Sequence, residues 1–397
     1  METKEEQLGT VSMRTKKVVS LESFIFLAVF LGLFCGIGSQ MGAVNMLNTM
    51  MNTAYQLLMK TVLYIMAIAV LAGAISALFS EFGVISLLNK VLSPLMKPLY
   101  GLPGAAAIGV VTTYLSDNPA ILTLADDREF KRYFKKYQLP ALTNIGTAFG
   151  MGLIITTYMI GLKSPTGESY LAPALIGNLG AIVGSIVSTR IMMHFTKKMY
   201  GTQEYVIPRK LGEEEEKITH RQIRDGSAGS RVMDAILSGG KSGVDMGLAI
   251  IPGVLIICTL VLMLTNGIGA EGYTGDAFQG IGLLPALGAK IDFILKPLFG
   301  FSSPQAIAVP ITSLGAAGAA IGLVPSLLDK GLAFGNDIAV FTAMCMCWSG
   351  YLSTHVAMMD SLHYREATGK AILSHTIGGL CAGVAANWLY QLFMMIF

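Results

Sequence analysis

Lys97-Pro98-Leu99-Tyr100-Gly101 recurs 199 residues later as Lys296-Pro297-Leu298-Phe299-Gly300. The same offset sets Ala107-Ile108-Gly109-Val110 on Ala306-Ile307-Ala308-Val309, Thr113 on Thr312, Leu115 on Leu314, Thr143 on Thr342, Gly180 on Gly379 and Gly184 on Gly383. A register kept without a gap from about residue 97 to the C-terminus does not come from shared hydrophobicity alone. It marks a duplicated half. In an apolar membrane chain such duplication is a signature of secondary transporters, whose site lies where the repeats meet.

The composition requires a membrane. Of 397 residues, 53% are hydrophobic and only 13% charged, with a mean hydropathy of +0.60. So little polar surface cannot cover a soluble core. Residues 61–80, 169–189 and 246–270 contain no Asp, Glu, Lys or Arg. Each is close to the roughly 20 apolar residues that cross a hydrocarbon layer. The net charge of +3 says little about partners, because the Lys and Arg sit in loops, and no nucleic-acid partner is expected. Cys35, Cys258, Cys345, Cys347 and Cys381 lie in apolar segments without zinc or disulfide spacing. No cleavable signal is evident at the N-terminus.

Charge placement then orders the spans. Residues 1–20 read as a cytoplasmic tail ending in Arg14, Lys16 and Lys17. Residues 21–59 read as an N-terminal span and an outer loop. Residues 60–198 form the first repeat, 199–242 a cytoplasmic linker and 243–397 the second repeat. Residues 103–125 are apolar but interrupted by Ser116-Asp117-Asn118-Pro119. They are followed by Arg128, Lys131, Arg132, Lys135 and Lys136, which belong inside. A segment that starts and ends on one side is re-entrant, and its broken middle suits a hairpin tip. Residues 302–328, broken by Pro304, Pro310, Gly315, Gly318 and Gly322, form its partner, entered from outside. Residues 139–162 and 338–359 read as equivalent spans crossing in opposite directions. The expected fold is therefore all-α and polytopic: two inverted repeats, each with three spans and one re-entrant hairpin, plus an N-terminal span. The C-terminus falls outside, in a bacterial cytoplasmic membrane.

Two such halves, each with a K-P-L-[YF]-G helix end and a Gly/Pro-broken apolar hairpin, resemble the Gate domain. That module occurs in concentrative nucleoside transporters, in the membrane part of ferrous-iron transporter B and in stand-alone "nucleoside recognition" proteins. The resemblance covers residues 60–198 and 243–397. It implies transport of a small polar solute or ion. No G-x-x-x-x-G-K-[ST] sequence is present, so the GTPase part of the iron transporter has no counterpart, and neither do the nucleoside-contacting motifs.

Asp117 is the only charged residue between Gly101 and Asp126, and an ionisable group in a membrane segment is functional by default. Asp117 or Asn118 reads equally as an N-cap before Pro119. Ser116 adjoins them. Thr113, Thr312 and Ser313 offer hydroxyls to a solute or Na⁺, or bond back to their own helix. Asn144 and His355 complete the candidate set. His355 reads as a proton relay, a solute ligand or a packed histidine. No cofactor is implied beyond a coupling Na⁺ or H⁺. The expected partners are a small polar solute and lipid, and a homo-oligomer is compatible with the chain. No nucleophile–base pair or metal cluster suggests an enzyme. The rival reading is a Gate-fold subunit or assembly factor that does not transport.

Overall fold

The computed structural model describes residues 17–116, 128–208, 223–269 and 271–396. Among them the secondary structure is helical, with no strand beyond two isolated bridges. Six helical stretches are long and apolar enough to cross a membrane. The chain is a multi-pass membrane protein. Helix α1 (Leu21–Met41) buries only Ile37 and Met41 and exposes Phe24, Phe26 and Phe30. A helix apolar on every side, with so little protein against it, belongs in lipid.

Two expected boundaries fall inside helices. The outer loop at 39–60 is instead helical: α2 runs unbroken over Ala43–Glu81, through a π-helical turn at Leu57–Val62. The division at residue 59 falls inside it. Alternating Asn, Met and Thr lowered the local hydropathy without supplying any breaker after Gly42. The linker also ends early. Helix α8 (Ala228–Thr265) begins inside the stretch read as 199–242, with the Ser227 hydroxyl accepting from the Ser230 N–H as its N-cap. At 1.5 Å per residue, α2 (39 residues) and α8 (38 residues) each reach nearly 60 Å, about twice the hydrocarbon thickness.

These long helices pack antiparallel on a glycine seam. Met66 meets Gly247, Ala69 meets Gly243 and Gly73 meets Gly239. A Cβ added to Gly73 would lie 2.3 Å from the Gly239 carbonyl oxygen. The backbones therefore touch directly, as small-xxx-small faces allow. Where α2 ends, the buried Glu81 carboxylate takes Arg224 at 2.9 Å and Arg231 at 2.7 Å, tying the end of the linker to the helix pair.

Helix α3 (Val84–Leu95) continues through a π-helical turn to Tyr100 and stops at Gly101, whose φ is +72. Its counterpart α9 (Leu283–Phe299) stops at Gly300, φ +64. This left-handed residue at each helix end explains the glycine of the repeated pentapeptide. Helix α4 (Ala106–Leu115) follows. Helices α5 (Ala141–Thr147) and α6 (Gly152–Gly161) come next, then α7 (Leu171–Tyr200). In the second half, α10 (Ala308–Ser313) and α11 (Ala317–Asp329) precede α12 (Gly335–Cys347), α13 (Tyr351–Ser361) and α14 (Thr368–Ile396). Every residue of α5 and α12 is buried, which makes them the centre of the molecule. Helices α7 and α14 flank them and cross antiparallel: Gly180 faces Ala382 and Ala386, and Gly184 faces Gly378.

Candidate functional site

The two spans expected to cross as single helices are both interrupted. Between α5 and α6 the chain turns at residues 148–151, and Met151 adopts a left-handed φ of 56. Between α12 and α13 it turns at 348–350, and Gly350 has φ 62. These two residues are 199 apart. Such a backbone is uncommon for methionine and persists only where surrounding packing enforces it. Here the Tyr114 ring lies over Gly152, so close that a Cβ there would sit 2.2 Å from it. Hydropathy carries no signal for either break, because both are apolar.

A third interruption meets these two. Helix α10 ends at Ser313 and α11 starts at Ala317, packed back against it. The Thr312 carbonyl accepts from the N–H groups of Gly315 (3.1 Å) and Ala316 (3.0 Å), and the Ser313 carbonyl accepts from Gly350 N–H at 3.0 Å. The hairpin break and the α12/α13 break are thus hydrogen-bonded together. A cavity of about 220 Å³ lies between them, lined by Met151, Gly315, Ala316, Gly350, Ser353 and Thr354 among others, with Ile250 and Gly253 of α8 behind. No Asp, Glu, Lys or Arg of the described residues lines it. Helices α6, α11 and α13 all start at this cavity. None has a side-chain cap among the described residues. Each start leaves backbone N–H groups without intrahelical partners and carries the positive end of a helix dipole. The Ser353 and Thr354 hydroxyls bond back to the Gly350 carbonyl at 3.3 and 2.9 Å. Their oxygens can still accept.

The candidate residues divide into three sets. Asp117 and Asn118 lie outside the described residues, and Ser116, the last before that stretch, caps the end of α4. Thr113, Thr312 and Ser313 each bond back to their own helix: Thr113 to Gly109 O at 2.8 Å, Thr312 to Ala308 O at 2.7 Å, Ser313 to Pro310 O at 2.7 Å. None of the three lines the cavity. Asn144 and His355 do not line it either; both are fully buried.

Asn144 holds three elements together. Its Nδ2 donates to Ser188 Oγ (2.8 Å) on α7 and to Ser374 Oγ (2.9 Å) and Ala371 O (3.1 Å) on α14. Ser188 Oγ also meets His375 Nδ1 at 2.9 Å, and His375 Nε2 meets the Cys347 carbonyl. A carbonyl only accepts, so Nε2 carries the proton and Nδ1 accepts from the Ser188 hydroxyl. His355 packs on this cluster, its ring centroid 4.6 Å from that of His375 and 5.6 Å from that of Tyr351. Neither nitrogen of His355 has a hydrogen-bond partner among the described residues. His375 escaped sequence analysis as a site residue because it sits on a glycine-rich face that reads as simple helix packing.

The first half has a different polar cluster at the equivalent place. Thr156, 199 residues before His355, accepts from Asn178 Nδ2 at 2.9 Å, while Tyr114 Oη donates to Asn178 Oδ1 at 2.9 Å. Tyr114 and Asn178 end a recess of about 490 Å³ whose other walls are mainly apolar residues of α2, α3, α4, α6 and α7, with Phe149 of the turn before α6.

No family model matches the chain, nor does any curated protein. Among solved structures, a variant of the concentrative nucleoside transporter CNTnw in an intermediate state superimposes with a TM-score of 0.52 at 17% identity. The match covers 94% of this chain and 86% of that one. The fold is that of concentrative nucleoside transporters. CNTnw in an inward-facing, substrate-bound state gives a TM-score of 0.44 at 17% identity, covering 94% of this chain and 85% of that one.

Proposed function

We propose that this chain is a secondary transporter of a small polar solute, working by alternating access between two inverted repeats. The observation that carries this reading is the meeting of three backbone breaks, at Met151, Gly315 and Gly350, on one open cavity of a membrane protein. Irregular backbone at membrane depth is tolerated where it lines a binding cavity, and broken helices presenting their ends are what transporters of this architecture use. The inverted relation draws support from α7 and α14. They are equivalent by the 199-residue offset, yet they pack antiparallel. Equivalent helices running in opposite directions through one layer fit an axis in the membrane plane. With the basic residues inside, the N-terminus lies in the cytoplasm and the C-terminus outside, in the cytoplasmic membrane of a bacterium.

In this reading the solute occupies the cavity, held by backbone N–H groups at the starts of α11 and α13 and by Ser353 and Thr354. Asp117, Asn118 and Ser116 are assigned a part in solute binding on the sequence argument alone, as the polar break of the first apolar hairpin. Thr113, Thr312, Ser313 and Asn144 keep the breaks in shape rather than touching the solute. Nucleosides are the first solutes to test, because the matched fold belongs to nucleoside transporters. Small organic anions are the second, because helix N-termini favour them.

The test is a thermal-shift screen of purified protein against nucleosides, organic anions and Na⁺, repeated with Ser353→Trp and Asp117→Ala. A ligand of the folded state at 100 times its Kd stabilises by about 2.7 kcal/mol. The expected result is a stabilising solute whose effect disappears in Ser353→Trp, followed by its uptake into proteoliposomes. Binding that survives Ser353→Trp would move the site elsewhere. Binding without uptake would favour the non-transporting subunit.

A further inference from the structure

The sealed imidazole of His355 has a consequence for coupling. A histidine shut away with neither nitrogen in a well-formed hydrogen bond, and only the Tyr351 backbone one turn back in weak contact, is out of place in a finished interior, where buried polar groups are bonded. Its equivalent, Thr156, satisfies itself by donating to Gly152 O at 2.7 Å. The fold therefore accepts a self-satisfied residue at this position, and the second half carries an imidazole instead.

We propose that His355 is the proton-binding site of the transport cycle, neutral in this conformation and protonated in one where α13 has moved. This rests on the transporter reading above. Three features of the site converge on it. The site has no room for a solute, since His355 is fully buried against His375 and Tyr351. A proton needs no volume. Of the two imidazoles, His375 has both nitrogens engaged, by Ser188 and by the Cys347 carbonyl. Only His355 has free lone-pair capacity. Finally, α13 carries Ser353 and Thr354 at the cavity and His355 on the buried side, and it starts at the left-handed Gly350. A movement of α13 about Gly350 changes the cavity and the exposure of His355 together.

The surroundings exclude a charged ring in the present state. From α14, His355 faces His375; the one charged residue of that helix, Lys370, lies over the Phe195 ring. Helix α5 carries no titratable side chain. From its own helix, Tyr351 is engaged with Thr376 at 2.6 Å, and Asp360 pairs with Arg365 at 3.8 Å at the exposed end. In the turn before α14, Glu366 takes the Tyr200 hydroxyl. From α12 comes the Cys347 carbonyl, already used, and beside it a buried thiol. Among the described residues no carboxylate faces His355 to balance an imidazolium. A proton from water, bonded to a ring nitrogen, therefore selects the conformation that hydrates His355.

Trp348 reports on this directly. Its ring lies 6.3 Å from Tyr351, and its Nε1–H donates to His375 O at 3.4 Å. The chain has two tryptophans, and the other, Trp388, is exposed. The experiment follows Trp348 emission of the Trp388→Phe protein in nanodiscs from pH 8 to pH 5, without solute. The expected result is a one-proton transition within that pH range. It should be matched by faster hydrogen exchange across α13 at the acid end. Both changes should vanish in His355→Gln and in His355→Thr, the residue type the first half uses. A transition that persists in both variants, or that is lost only in His375→Gln, overturns the proposal, as does a flat trace in the parent. A flat trace leaves the transporter reading standing, since that falls only on the solute screen.

Discussion

Replacing Gly243 by alanine should destabilise the protein, although the same change on α1 should not. A Cβ at Gly243 would lie 2.4 Å from the Ala69 carbonyl oxygen and 2.5 Å from Val70 Cα. A carbon–oxygen contact is comfortable at about 3.3 Å, so α8 must retreat by roughly 1 Å. The retreat also unseats Gly73 against Gly239 and Gly247 against Met66. Overpacking of this kind costs about 1–3 kcal/mol, against a gain of about 1 kcal/mol from the better helix former. The net effect is destabilisation of up to about 2 kcal/mol. In α1, Gly32 and Gly36 have nothing within 4 Å of an added Cβ, so there alanine brings only the propensity gain. The sign of an identical substitution is thus set by position. The assay is the melting temperature of purified protein in one detergent at one scan rate, with shifts of a few °C expected. A double Gly73→Ala, Gly243→Ala variant should fall short of additivity, because one retreat relieves both clashes. Equal melting of Gly243→Ala and Gly36→Ala would refute direct backbone contact between α2 and α8.

Three further outcomes follow from the polar contacts. Asn144→Ala leaves Ser188, Ser374 and the Ala371 carbonyl without their buried donor; stability should fall by about 1–3 kcal/mol, checked by thermal melting. Glu81→Ala releases Arg224 and Arg231, so trypsin should cut after these residues faster than in the parent; unchanged cleavage kinetics would mean that the carboxylate does not hold this end of the linker. The Lys136 ammonium beside Glu204 holds that carboxyl below the usual range, so the contact is present at neutral pH and is lost as pH falls through the carboxylate range. Hydrogen exchange at the paired Lys136 and Val206 amides should quicken selectively as that range is crossed, and Glu204→Gln should remove that pH dependence.

The membrane class, the helical fold and the 199-residue register were legible along the chain, because hydropathy and turn-forming residues act locally. Gly101 and Gly300 show this: each ends a helix in the left-handed region, a demand on one residue's backbone. Asn144 was legible as a polar residue in an apolar span. Its role was not, since its partners lie 44 and 230 residues away, on α7 and α14. The hydroxyls of Thr113 and Thr312 were noticed for their matched positions, yet their own helices hold them. The helical course of residues 43–56 was hidden because Asn and Thr mark a loop by composition but do not break a helix.

What the sequence determined by itself is what each segment is: apolar or polar, broken or continuous, written once or twice. What only tertiary structure decided is where the breaks meet. Met151, Gly315 and Gly350 come from three separate segments, and no property of any one of them encodes the cavity they line together. The isolation of His355 is likewise a property of its neighbours. A side chain becomes unpartnered only when packing has removed water and every acceptor around it is already taken.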